Sequence, residues 1–429
     1  MMAWQSPISP SISWYENTVG DRPQYAAMDG SRTVDVAVIG GGFTGLQAAY
    51  NLAKAGVSVT LIDANRFGDG ASGRNGGQFG TGQRAWPDDL EDEIGFERSK
   101  ALFDIAEGAK HYLLDFARDQ GIDMEFLPGQ LNVSHKKAYA KDYRKSVDAM
   151  TSRYGYPHIS FMEGAETAER LGSTHYYCGV RDTGTGHIHP MKLLVGLAKA
   201  ARDAGADIFE MTPAKSIRQA QGKTLIETAS GTITAGRVLI ATNAHIGNLE
   251  PVTAAHIMPI RSFIGATIPL DDFPQVIPGQ EAVADSRFVV RYFRKTRDNR
   301  LLFGGREAYT ADSPRDISVH IRKQIAEIYP ALHDIEMTHA WGGSVGITMP
   351  RQPFVREVMP GVMSIGGYSG HGVMLSNYCG KLYADMVVNR DKALEQFSAL
   401  DVPSFPGGAK FRSPLLFLAL SWFALRDRF

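Results

Sequence analysis

The chain has 429 residues, 44% apolar and 21% charged, with a net charge of −1. It is too long for one simple core, so two interleaved domains are expected, and its balanced charge offers neither a basic field for nucleic acid nor an acidic tail. Two cysteines, Cys178 and Cys379, are too few for a disulfide framework or a thiolate metal site, and fit buried thiols in a reducing compartment.

Residues 1–32 are polar and rich in Pro, Ser and Tyr, which suits an arm lying over the surface; they lack the basic and apolar regions of a signal peptide. Val34–Ile39 reads as a buried strand of a parallel sheet. Gly40, Gly42 and Gly45 then make a G-x-G-x-x-G turn, with Phe43 and Thr44 inside it. A helix with Leu46, Ala49, Tyr50 and Ala53 on one face runs to Gly56. Val57–Ile62 is the second strand, closing on Asp63 and Ala64. In this setting the turn admits a pyrophosphate at the helix start, and the acid takes ribose hydroxyls. A dinucleotide site is therefore expected.

Residues 67–84, FGDGASGRNGGQFGTGQR, carry seven glycines together with Ser72, Arg74, Asn75 and Gln78. Leaving the second strand, this segment is expected to run along a cofactor. Leu102, Ile105, Ala109, Leu113 and Phe116 mark an amphipathic helix ending near Gly121. GHIHP, residues 186–190, leads into another helix and a strand at Ala206–Glu210. His187 and His189 are close in sequence, but no third ligand suggests a metal, so none is expected. Thr224–Thr228 and Gly231–Ala235 read as a hairpin, and Arg237–Ala241 as a buried strand ending at Thr242 and Asn243.

Between 251 and 335 the pattern changes. Phe288–Phe293 and Arg300–Gly304 flank a turn at Thr296–Asn299. Ser313-Pro314 with Asp316 reads as a helix start. Val362–Gly366 is a last buried strand, entering GYSGHGVML and a helix with Leu375, Cys379, Leu382 and Met386. A helix start there can stabilise negative charge on a reduced flavin, which distinguishes a flavin from a nicotinamide enzyme. Ser413–Phe429 is apolar but too short to span a bilayer. A packed helix is expected there, with membrane or partner contact as the alternative.

VIGGGFTGL, GASGRNGGQ, TGHIHP, RLLFGG and GYSGHGV together resemble the D-amino-acid-oxidase-like family of FAD oxidoreductases, and within it the gamma-glutamylputrescine oxidases, over nearly the whole chain. The resemblance implies an α/β fold: a Rossmann-like FAD-binding domain (33–85, 188–250 and 336–390) interleaved with an antiparallel-sheet, α+β substrate domain (86–187 and 251–335), followed by a C-terminal extension, 391–429. It implies that Gly40, Gly42, Phe43, Thr44, Gly45, Asp63 and Ala64 hold the ADP half of FAD. Ser72, Gly73, Arg74, Asn75, Gly76, Gly77 and Gln78 match the segment beside the pyrophosphate and flavin. Thr242 and Asn243 match a strand end flanking the cofactor, and Gly370, His371, Gly372 and Val373 the helix start under the flavin ring. Residues 67–84 contain no His or Cys, so non-covalent FAD is expected.

The activity implied is oxidation of a C–N bond of an amine by oxygen, giving an imine or aldehyde and peroxide. Amino-acid-oxidising relatives place an arginine shortly after Trp-x-Gly to fork onto a carboxylate; here Val345 takes that place after Trp341-Gly342-Gly343. That favours a (poly)amine conjugate such as gamma-glutamylputrescine over an α-amino acid. Arg84 and Arg351 are candidate distal anchors. His371, Trp341 and Arg306 are the candidate catalytic residues: His371 tuning charge near the flavin, Trp341 walling the amine pocket, and Arg306 by a looser match. Oxidation of a secondary amine or imino acid, modification of an amine on tRNA, an NAD-dependent dehydrogenase and a non-enzymatic FAD-binding protein are the competing readings. A cytoplasmic enzyme with a small-molecule amine and oxygen as partners, and no nucleic acid, is expected.

Overall fold

The structure, a computed structural model, describes residues 4–9, 11–308 and 316–408. Five strands of the first sheet run parallel: Arg32–Ile39, Val59–Ile62, Asp207–Phe209, Thr232–Ile240 and Val362–Gly366. Arg32–Ile39 lies between Val59–Ile62 and Thr232–Ile240, so the chain turns away to both sides of it. Such a reversal opens a crevice beyond the carboxyl ends of the strands. Val36, Val38, Leu61 and Leu239 are buried in the core of this layer. The helices Phe43–Lys54, Pro190–Asp203 and Gly372–Asn389 pack together on it.

The hairpin half at Gly231–Ala235 and the strand at Arg237–Ala241 prove to be one strand, Thr232–Ile240. Its first half pairs antiparallel with Lys223–Glu227, and its second half runs parallel beside Arg32–Ile39 and Val362–Gly366. Gly236 carries it through without a break, where the sequence pattern suggested a turn.

The second sheet is mostly antiparallel, with Leu127–Ser134, Cys178–His187, Met258–Pro269, Tyr292–Lys295, Arg300–Ala308 and Met337–Ile347 among its strands. Two pieces assigned from sequence to the nucleotide unit give their strands to this sheet. Gln78–Phe79 pairs with Cys178–His187, and Met337–Ile347 pairs with Met258–Pro269 from Met258 to Thr267. Three glycines in Met337–Ile347 weaken its alternation, so the pairing partner was not legible. The expected strand at Phe288–Phe293 starts later, at Tyr292. Asp285 accepts the amides of Arg287 at 3.2 Å and Arg291 at 3.0 Å, and this closes the preceding stretch into a loop.

The helix Ile317–Ile328 is capped by Asp316, whose carboxylate accepts the amides of Ser318 and Val319. Asp316 is thus the cap itself; Ser313 and Pro314, and the apolar segment Ser413–Phe429, lie outside the described residues. Among the described residues no helix is long and apolar enough to cross a membrane.

Candidate cofactor and substrate site

Four of the stretches marked in the sequence meet at the carboxyl edge of the first sheet. Gly40 leaves Ile39 with φ +113°, and a β-carbon on it would come within 2.6 Å of the Ala241 carbonyl oxygen. A β-carbon on Gly45 would lie 1.9 Å from the Gly40 carbonyl oxygen. Both positions therefore require glycine, and together they draw the first turn of the helix onto the strand end. Gly42 caps that helix without a side chain, and the Ser72 hydroxyl reaches across to accept the Phe43 amide at 3.0 Å.

Asp63 accepts the Gly41 amide at 2.7 Å with one oxygen and the Asn65 amide at 2.8 Å with the other. Enclosure outweighs these amides and pushes its carboxyl up to about 6. Ala64 beside it is exposed. Thr44 lies 2.8 Å from the Tyr368 hydroxyl, which ties the first glycine turn to the GYSGHG loop.

Residues 67–84 are held more by their own polar groups than the sequence suggested. Arg74 donates to the Gly342 carbonyl at 2.6 Å and the Ser11 carbonyl at 2.7 Å, clamping the second sheet and the N-terminal arm. Burial lowers its pKa to about 10. Asn75 donates to the Ala71 and Ser72 carbonyls and accepts the Gly77 amide, while Gln78 donates to the Val283 carbonyl at 2.7 Å. Gly73 and Gly76 lie against Gly68 and the Tyr292 ring.

Sequence reading missed the buried Arg294. It donates to the carbonyls of Gly76 and Ile188 and to the hydroxyl of Tyr15, which in turn donates to the Asn75 carbonyl. Its signal was an arginine within the apolar run Tyr292-Phe293-Arg294. The two histidines of GHIHP belong to the same framework. His187 meets the Gln280 carbonyl at 2.8 Å, and His189 caps Pro190–Asp203 by accepting the Lys192 amide. Burial and the Arg294 charge push both down to about 3. Among the described residues no group of three His, Cys, Asp or Glu is arranged for a metal.

Across the crevice, Asn243 accepts the Gly367 amide at 2.9 Å, and the buried Thr242 hydroxyl has no hydrogen-bond partner among the described residues. His371 occupies the cap position of Gly372–Asn389, whose first turn includes Val373. Its Nε2 lies 3.2 Å from the Gly82 carbonyl, an acceptor only, so that nitrogen carries hydrogen. Burial, then the Arg84 charge, holds the imidazole down at about 4, neutral at physiological pH.

A cavity of about 810 Å³ runs between the sheets. Asn75–Gln78, Gly370, His371 and Val373 line it, as do Val345, Arg84 and Arg351. Arg351 sits with its guanidinium 4.0 Å over the Phe288 ring. Trp341 is not in this lining: it is fully buried, donates to the Arg74 carbonyl at 3.1 Å and packs edge-on against Tyr15. The expected wall of the amine pocket is thus core packing behind Arg74: Trp341 shares its strand face with Gly343 and Val345, but Arg74 lies between it and the cavity, which only the later two reach. Arg306 lies on Arg300–Ala308 opposite Phe263; its side chain lies outside the described residues.

These features fit FAD. The glycine cradle cannot accept side chains, a buried hydroxyl at the strand end lacks a partner among the described residues, and the cavity joins the Arg74–Gln78 segment to a helix start. Residues 35–386 match the DAO family, described as FAD dependent oxidoreductase. The chain belongs to this family. It is an FAD-dependent oxidoreductase with the mixed α/β fold of its relatives.

Among DAO-family relatives, a probable oxidoreductase OrdL of Rhizobium meliloti (strain 1021) is 67% identical, with 100% of both chains covered. The gamma-glutamylputrescine oxidoreductase of Escherichia coli (strain K12) is 30% identical, over 97% of this chain and 98% of that one. The crystal structure of glycine oxidase from Geobacillus kaustophilus superposes with a TM-score of 0.70 at 23% identity, covering 84% of this chain and 95% of the other.

Proposed function

We propose that this enzyme oxidises the C–N bond of an amine that carries no carboxylate on its reacting carbon, with a polyamine conjugate such as gamma-glutamylputrescine as the substrate type. The observation that carries the reading is Val345. It lines the cavity; the resemblance implies that it stands where amino-acid-oxidising relatives carry a carboxylate-binding arginine, and an isopropyl group cannot pair with a carboxylate. The likeness to an enzyme named for gamma-glutamylputrescine supports the same choice.

In this reading Gly40, Gly42, Gly45 and Asp63 hold the ADP half of non-covalent FAD, and Thr242 and Gly370–Val373 receive the flavin end. When bound, FAD supplies two-electron chemistry: the amine loses a hydride from carbon and a proton from nitrogen, water splits the imine to aldehyde and ammonia, and oxygen takes the electrons to become peroxide. His371, held neutral, donates to Gly82 and leaves the positive end of helix Gly372–Asn389 as the local source of positive potential. The apolar face offered by Val345 and Ile264 receives the carbon chain and excludes water.

A second reading, oxidation of an amino or imino acid, draws on Arg84 and Arg351, which also line the cavity. A stopped-flow screen decides between them. Purified, FAD-loaded enzyme is mixed anaerobically with gamma-glutamylputrescine, simple amines, glycine, sarcosine and proline, and flavin bleaching is followed. The conjugate should reduce the flavin roughly 100-fold faster than glycine, since a buried carboxylate without a partner costs several kcal/mol. Faster bleaching by glycine or sarcosine than by every amine would overturn the amine reading.

A further inference from the structure

The cavity has a polar wall that the glycine motifs do not explain. Gln130 on Leu127–Ser134 and Asp182 on Cys178–His187 are direct cross-strand partners, and Asn132 follows Gln130 on the same face. All three line the cavity. Asp182 is 3% exposed and Gln130 8% exposed. Among the described residues, Asp182 takes its side-chain hydrogen bonds on one oxygen: from the Tyr156 hydroxyl at 2.6 Å and from the Gly184 amide at 2.9 Å. Its second oxygen has no such bond. The Gln130 carbonyl oxygen is likewise buried without a partner.

The surroundings keep Asp182 in place without cancelling its charge. Lys110 donates to the Tyr156 hydroxyl at 3.0 Å and to Thr81 at 2.8 Å, but its ion pair is with Glu107, at 2.9 Å. That pair is neutral as a unit. Tyr156 donates its hydroxyl hydrogen to Asp182, so the chain Lys110–Tyr156–Asp182 orients the carboxylate. The Gln130 Nε2 donates to the Asn132 Oδ1 at 3.4 Å, and the Asp182 carboxylate with the Gln130 oxygen remains as acceptors at the cavity that a cation with several N–H groups would satisfy.

We propose that Asp182, with Gln130 and Asn132, forms a subsite for a second, protonated nitrogen of the substrate, so that a diamine or its conjugate is held at both ends. The inference rests on the amine reading above and names the substrate class of the same site. In gamma-glutamylputrescine the second nitrogen is the ammonium of the glutamyl end; in a free diamine it is the far amine. A monoamine of equal length fills the apolar part of the cavity and leaves the subsite unpaired.

The test compares 1,4-diaminobutane with n-butylamine, a matched pair differing by one ammonium, on FAD-loaded wild type and Asp182→Asn. Asparagine keeps an oxygen for Tyr156 and Gly184 and removes the charge. Binding is read from perturbation of the flavin absorbance and from thermal shift, and turnover from anaerobic flavin reduction. Wild type should bind the diamine about tenfold or more tightly than the monoamine. Asp182→Asn should erase that preference through KM, with monoamine binding and the flavin spectrum kept. Equal affinity of wild type for the two amines would overturn the subsite, as would a loss in the variant that falls equally on both. If no amine reduces the flavin while the Asp182-dependent diamine preference persists in binding, the subsite stands and the proposed reaction falls.

Discussion

Gly80 faces His371 so closely that a β-carbon on the glycine would come within 2.6 Å of the imidazole Cε1. The contact joins the loop after Gln78–Phe79, from the second sheet, to the helix start that follows the last strand of the first. It holds a neutral imidazole in the cavity wall, its Nε2 hydrogen directed to Gly82. Gly80→Ala should therefore displace the ring and slow anaerobic flavin reduction about tenfold, with unchanged circular dichroism. If displacement of His371 is the cause, Gly80→Ala combined with His371→Ala should be no slower than His371→Ala alone. Additive losses in this cycle would show that Gly80 acts otherwise.

Asp63 has two tasks in the structure: it binds the Gly41 amide of the turn and closes the strand end. Asp63→Asn should lower FAD retention on gel filtration by tenfold or more, while Asp271→Asn, at an exposed position, should leave it unchanged. With the carboxyl at about 6, FAD affinity of wild type should also weaken as pH falls below 6, and this dependence should vanish in Asp63→Asn. Matching losses from both variants would mean that the ribose site lies elsewhere. Acid precipitation should leave all flavin in the supernatant; yellow pellets would disprove non-covalent binding.

The proposed role of Val345 can be tested by giving position 345 a carboxylate-binding side chain. Val345→Arg should raise flavin reduction by glycine and sarcosine at least tenfold relative to the polyamine conjugate, measured as a ratio of kcat/KM values. A variant that loses both activities in proportion, with FAD still bound, would argue that position 345 does not meet the reacting end of the substrate.

His187 and His189 make the fold acid-sensitive. In the unfolded chain each takes a proton near 6.5, whereas in the folded protein each resists until about 3. Their stabilising contribution is thus complete above 6.5 and is lost progressively as pH falls from 6.5 towards 3, because the unfolded state binds more protons there. The cost reaches up to about 2 kcal/mol per histidine by pH 5. Asp63, whose folded value is raised to about 6, acts in the opposite sense and offsets part of it. His371, held at about 4, adds a loss of similar size, so urea unfolding at pH 7.5 and pH 5 should show a net fall of about 4–5 kcal/mol. Imidazole NMR signals of the two residues should not titrate down to pH 5, and a midpoint near 6.5 for either would refute their buried neutral state.

The sequence by itself determined the nucleotide half of this protein. The spacing of Gly40, Gly42 and Gly45 after a buried strand, with Asp63 at the next strand end, states a local steric requirement. Backbone atoms must approach within distances no side chain permits, and the structure meets that requirement at Ala241 and at Gly40 itself. The GYSGHG helix start was legible from glycines between a buried strand and a helix, and there the backbone turns with φ +69° at Gly367 and +89° at Gly370. Tertiary structure decided which polar groups of those motifs are already occupied. Arg74, Asn75 and Gln78 looked like cofactor ligands, yet their hydrogen bonds go to backbone carbonyls brought in from residues 11, 71, 72, 283 and 342. It also decided that Met337–Ile347 joins the second sheet, turning Trp341 into core and Val345 to the cavity. The pairing of Gln130 with Asp182 left no trace in either segment read alone, since cross-strand register depends on how distant strands bury their opposite faces together.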